Sequence, residues 1–389
     1  MVSKSVSILQ ESAYSADAVS RAAARIREEL GAPATFALAF FTPDYLPHLE
    51  EFSDIIRVDG HVSELAGCTG SGIISDNIEH ENGSGFSLLA IHSPGTTAEF
   101  HDIDASIAET ADSTGFWKKN IPASESWLLL TDPFDLPPED FLAGWSHAFP
   151  GTPVVGGLAS GGESEETVAV FHNGRILTGG IAMGLRGNLK LIPAISQGCR
   201  PIGEPLPVTK AEDNIIFSLG SRPAYQALES AFQSLTESER SSAQGNLFAG
   251  LAGTEYIDEF RSGDFLIRNI IGADPNSGAV VIAGIPRLGQ TLQYQLRDRA
   301  SADADLRRSL HRALPSPADR IVASALFCCK GRGQDLFGNT NHDAVVVGDV
   351  LGHPHLAGFF CNGEFGPIGG KNCVHSYTAA CAIFTEASS

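Results

Sequence analysis

The sequence predicts an α/β fold of mixed β-sheets flanked by helices, with two related domains containing repeated strand, helix, strand and Gly-loop units. Two observations predict it. Forty-one glycines cluster where apolar runs end, as expected when the backbone turns tightly beside strand ends. Three segments also share one layout. Each starts with an apolar strand (35–41, 127–130, 321–327), then a loop rich in Pro, Gly or Asp, then a helix-like stretch (46–56, 139–149, 342–350). A second strand follows and runs into two glycines five positions apart: Gly67 and Gly72, Gly156 and Gly161, Gly358 and Gly363. The residue before the second glycine is small and polar each time, namely Ser71, Ser160 and Asn362. A further strand is expected at 86–92, 168–171 and 377–384.

Two strands joined through a helix run parallel when they share a sheet, so their C-terminal ends open on one edge. Ligands of open α/β sheets bind at such edges. Between the repeats the chain reads as sheet. Asn173-Gly174 predicts a hairpin joining 167–172 to 175–185. Strands are expected over 189–195, 208–219, 265–271 and 279–283, and helices over 16–30, 222–235 and 303–314. Three prolines near 203–209 suggest a division into domains 1–206 and 207–389.

The balance of 26 basic against 46 acidic residues gives −20 over 389 residues. Such a surface repels phosphate backbones and anionic lipid, so neither nucleic acid nor membrane is an expected partner. No segment approaches the ~18 apolar residues of a membrane span. Seven cysteines without framework spacing are expected to be reduced thiols of a cytoplasmic protein.

The third repeat carries the chemistry. Its first loop is Cys328-Cys329-Lys330-Gly331-Arg332-Gly333 and its Gly loop is Cys361-Asn362-Gly363-Glu364-Phe365-Gly366. The parallel-strand argument brings them face to face, with Arg332 suited to a carboxylate and Glu364 to an amine. The alternative is an Arg332–Glu364 ion pair tying two loops together. As a loop arginine, Arg332 is expected to be exposed and to support no core. Gly358 and Gly363 are expected where a side chain would block either positive φ or close ligand approach. A Cys328 nucleophile activated by His375 is a further reading. No metal or other cofactor is expected: adjacent cysteines on a strand point to opposite faces and no Cys-x-x-Cys pair exists. Gly67 to Gly72 lacks the Lys and Ser/Thr of a phosphate loop. The acids Glu163, Glu165 and Glu166 read as a solvated turn.

In their order, several motifs resemble the FIST family, named for F-box and intracellular signal transduction. Gly67-Cys68-Thr69 and 153–159 (PVVGGLA) resemble its N-domain motifs, and 358–367 (GFFCNGEFGP) its C-domain signature. Ile267-Arg268, 327–332 and 375–378 are similar in order. The resemblance implies a sensory, signal-transducing module that binds a small ligand such as an amino acid or small carboxylate, with a signalling protein as partner. The residues it and the repeat together nominate for the ligand are Arg268, Cys328, Arg332, Asn362, Gly363, Glu364 and His375, and Arg268 enters through the resemblance alone. A cysteine-dependent enzyme acting on a small metabolite is the alternative.

Overall fold

The computed structural model describes residues 2–108, 113–162, 164, 166–316 and 318–387. Glu163 and Glu165 of the acidic turn lie outside the described residues, whereas Glu166 is exposed. Contacts divide the chain into two compact units: Met1–Ile195 with Arg307–Ser389, and Ser196–Leu306. These units cut the chain elsewhere than the sequence division at 206/207. The second unit is an insertion, and the third repeat belongs to the same unit as the first two.

The first unit holds three six-stranded sheets of one plan. Phe36–Phe41 pairs in parallel with Leu65–Thr69, Trp127–Thr131 with Val154–Leu158, and Asp319–Cys329 with His355–Cys361. The first strand of each pair is flanked on its other side by an antiparallel strand: Phe86–His92, Gly179–Gly187 and Ala379–Ala387. In the second repeat that neighbour is therefore not the expected 168–171, which forms part of a short hairpin instead. The expected long hairpin through Asn173-Gly174 ends at Leu177, and Gly179–Gly187 joins another sheet.

Each sheet is completed by a hairpin from a different repeat. Ile73–Ser75 and Ile78–His80 of the first repeat add to the third repeat's sheet. Val170–His172 and Arg175–Leu177 of the second add to the first. Glu364–Ile368 and Lys371–His375 of the third add to the second. Three side-chain oxygens lock this cyclic exchange. Asn173 Oδ1 accepts from Leu65 N at 2.9 Å, Asp76 Oδ1 from Leu356 N at 3.1 Å, and Asn372 Oδ1 from Val154 N at 3.1 Å.

Strand alternation explains the core. Phe36, Leu38 and Phe40 point into a cluster that draws on all three sheets, with Phe327, Phe359 and Phe384. Ala37, Ala39 and Phe41 face outward beneath Val19, Ile26 and Phe52. Val19 and Ile26 lie on the helix Ala16–Leu30, which Gly31 ends at φ 67 while its N–H reaches Arg27 O. The helix Pro138–Ala148 covers the second sheet with Phe141, Leu142 and Trp145. Strands covered on both faces read as unbroken apolar runs.

The second unit is a closed barrel. Leu206–Glu212, Ile215–Leu219, Ala279–Ile282, Phe265–Asp274, Leu247–Ala252 and Thr291–Arg297 pair in that order, and the last pairs back to the first. The helix expected from residue 222 begins at Ala224 and runs to Gln233, because Arg222–Pro223 still pairs with Ile215–Leu219. No helix among the described residues is long and apolar enough to cross a membrane.

Candidate functional site

Backbone geometry sets the site first. A Cβ on Gly358 would lie 1.9 Å from Leu326 O, and Gly67 and Gly156 stand equally close, at 1.7 and 1.8 Å, to Ala39 O and Leu129 O. Only glycine lets the paired strands approach there. Gly358 has no positive φ, whereas Gly363 has φ 159, at the edge of the range that disfavours a side chain. Close approach thus governs Gly358, and at Gly363 the nearest obstacle is the Leu158 side chain, at 2.8 Å. The three Gly loops meet. Ser160 Oγ donates to Phe360 O at 2.6 Å and accepts from Ser71 N at 3.0 Å, and Ser71 Oγ donates to Phe360 O at 3.1 Å. Asn362, the third small polar residue, is exposed.

The two loops of the third repeat face each other, since Cys329 and Cys361 are register partners of parallel strands and Lys330 N donates to Cys361 O at 3.1 Å. Arg332 is completely buried, contrary to the expected exposed loop arginine. Its Nε and Nη2 meet Asp343 Oδ2 and Oδ1 at 2.5 and 2.9 Å, and its guanidinium lies 5.4 Å from the Phe337 ring centroid. The carboxylate that clamps it is therefore Asp343, in the first turn of His342–Leu351, in place of the Arg332–Glu364 pair that the spacing suggested. His342 stacks on Phe337 and places Nδ1 3.0 Å from Asp343 Oδ1.

Glu364 is also fully buried. Cys361 Sγ lies 3.1 Å from its Oε1, and Thr378 N donates to its Oε2 at 3.2 Å. His375, its register partner across the hairpin, holds Nε2 3.0 Å from Gly366 O. Cys328 Sγ is 3.6 Å from Asp343 Oδ2, while Cys361 Sγ also reaches Cys328 O at 3.2 Å. The exchanged hairpin of the first repeat closes the cluster: Glu79 accepts from Ala344 N at 2.8 Å, and its own N–H donates to Asn341 Oδ1 at 2.8 Å.

Burial pushes the Glu364 carboxyl up to about 8. Burial, then the charge of Asp343, pushes Glu79 to about 7. Burial opposes ionisation of Asp343 too, but the charge and hydrogen bonds of Arg332 hold it well below the usual carboxylate range. Burial raises the thiols of Cys328 and Cys361 well above their ordinary value and Cys329 to about 11. The cluster thus holds one matched charge pair, Arg332 with Asp343, beside two carboxyls, Glu364 and Glu79, that burial biases toward the protonated form, in which each can both donate and accept.

The structure thus brings Cys328, Arg332, Gly363, Glu364 and His375 together below the exposed Asn362. Arg268 lies in the second unit, on Phe265–Asp274, where Nη1 donates to Ile267 O at 3.1 Å. Sequence reasoning missed Asp343, Glu79 and Thr378. An acid in a helix's first turn is too ordinary to stand out, and Glu79 arrives only through the hairpin exchange.

An uncharacterised protein of Mycobacterium tuberculosis (strain H37Rv) is 36% identical over 375 residues, 95% of this chain and 96% of that protein. An uncharacterised protein of Mycobacterium bovis is 36% identical over 323 residues, 83% of each. The crystal structure of cyanuric acid hydrolase from A. caulinodans aligns over the full length of both chains, but at a TM-score of 0.32 and 10% identity, too low to transfer fold or activity. A FIST N domain matches residues 35–222 and a FIST C domain residues 224–367. With nearly its whole length accounted for in this way, the chain belongs to the FIST family, whose domains are generally associated with sensory signal transduction.

Proposed function

We propose that the protein senses a small ligand, an amino acid or similar small carboxylate, at the third repeat's loops, with Cys328, Arg332, Asn362, Gly363, Glu364 and His375 forming or framing the site. One observation carries this reading. Pairing register makes Glu364, opposite Gly157, equivalent to Ile73, opposite Phe359, and to Val170, opposite Cys68. All three are fully buried. The frame is thus built twice with an aliphatic side chain and once with a carboxyl, whose burial costs stability that the fold does not require. A buried polar group retained where the frame takes Ile or Val is suited to recognition.

The raised thiols speak against the cysteine-dependent enzyme, because thiolate is the nucleophile. Seven free thiols support a cytoplasmic setting, and the family's association with signal transduction supports a protein partner to receive the signal. The test is a thermal-shift and calorimetric screen of amino acids and small carboxylates on the wild type and Glu364→Ile. Ligand at 100 times Kd adds about 2.7 kcal/mol. The reading predicts a hit lost in a folded Glu364→Ile protein. A hit that survives this substitution would refute the site.

A further inference from the structure

We propose a second small-molecule site, in the barrel unit, for a carboxylate carrying a compact apolar body. It does not rest on the reading above. Between the helix Ala224–Gln233 and the barrel wall lies a recess of about 180 Å³. Its floor is Leu219, Leu292 and Tyr294, all buried, and Ala227 and Ala231 form the helix side. An apolar cavity of roughly 150 Å³ accommodates benzene, so this one takes a branched chain or a single ring. Tyr294, the polar group of the floor, already donates its hydroxyl to Ala224 O at 2.9 Å. The interior therefore offers apolar contact and selects an apolar body.

The rim selects the head group. Arg222 and Glu204 both line the recess and form an ion pair. The two are not equally held. The Arg222 side chain is 32% exposed and Arg222 is held in the short strand Arg222–Pro223, paired with Leu219, whereas the Glu204 side chain is 73% exposed. An exposed pair contributes little, so an incoming carboxylate can replace Glu204 on the guanidinium and release it to water at small cost. An ammonium would instead have to engage the outward-reaching Glu204 and leave Arg222 without its anion.

Calorimetric titration of the full-length protein with 3-methylbutanoate tests this, with acetate, 3-methylbutan-1-amine and leucine for comparison. The site predicts that 3-methylbutanoate binds better than acetate or the amine. Arg222→Gln should weaken it about tenfold or more, and Ser230→Phe, at an exposed rim position on the helix, should occlude it. Glu204→Gln should tighten binding, because it removes the competing anion without touching the core. No binding to the wild type, binding indifferent to Arg222→Gln, or an amine that binds as well as the acid would overturn the proposal. So would leucine binding that Glu204→Gln abolishes, since that would make the head a zwitterion.

Discussion

At the scale of single residues, the molecule separates what its fold needs from what its site keeps. Arg332 is clamped through two hydrogen bonds to Asp343 with both groups buried. Removing one partner strands a buried charge, which costs about 3–5 kcal/mol. Arg332→Ala and Asp343→Ala are each expected to fall in that range in urea denaturation, and the double variant to cost much less than their sum. Purely additive losses would show that the pair is not coupled. Glu364 acts in the opposite sense. Its folded pKa, about 8, lies above the ordinary 4.5, so the native state binds the extra proton. Its contribution is complete below pH 4.5 and is lost as pH rises toward 8, at up to about 1.4 kcal/mol per pH unit. Glu79, at about 7, adds the same sign over a narrower window. Glu364→Ile is expected to flatten the stability profile between pH 5 and 8 and to be at least as stable as the wild type at pH 8. An unchanged slope would mean that Glu364 is ionised in the native protein.

Among elements, the parallel pairs were legible in the sequence and their completion was not. Apolar runs ending at Gly67, Gly156 and Gly358 disclose the second strands, because only glycine tolerates the facing carbonyl there. Gly358→Ala is therefore expected to be among the most damaging single changes, about 4 kcal/mol or more. Gly363→Ala carries some backbone strain, at φ 159, but meets the Leu158 side chain in place of a carbonyl and should cost less, and equal losses would contradict the close-approach argument. The two new strands Ile73–Ser75 and Glu364–Ile368 are short and begin immediately after their Gly loops. Nothing local in three or five residues says which sheet they will join, so the exchange could not be read, and with it went Glu79 at the site. Arg332 and Glu364 were found because topology puts both at one sheet edge. Their burial was not, since burial there comes from Asp343, Phe337 and the incoming hairpin. The locking oxygens are expected to be worth about 0.5–1.5 kcal/mol each as single hydrogen bonds. Asn372→Ala should exceed that in thermal unfolding, because its Nδ2 also donates to Thr152 O.

For the whole first unit, a corner between two sheets is held by His172. Its Nδ1 and Nε2 stand 2.9 and 3.0 Å from Asp102 and Glu64. Burial works against its charge, but the two carboxylates win and raise its pKa above 6.5. The stabilisation it gives is complete below pH 6.5 and lost as pH rises through the raised value. His172→Gln should remove that component of the pH profile, and a profile identical to the wild type would rule the corner out. The hairpin exchange has a temporal consequence. Asp76 and its partner Leu356 are 280 residues apart, so during synthesis at 5–20 residues per second the first repeat's hairpin waits roughly 14–56 s for its sheet. Through that interval an apolar edge strand stays unpaired on the nascent chain, the state most exposed to mispairing and most dependent on chaperones. Folding of this protein is thus gated by translation of its last repeat: a chain stopped before residue 355 can complete the first sheet but leaves the second without its hairpin and the third without His355–Cys361 and Ala379–Ala387.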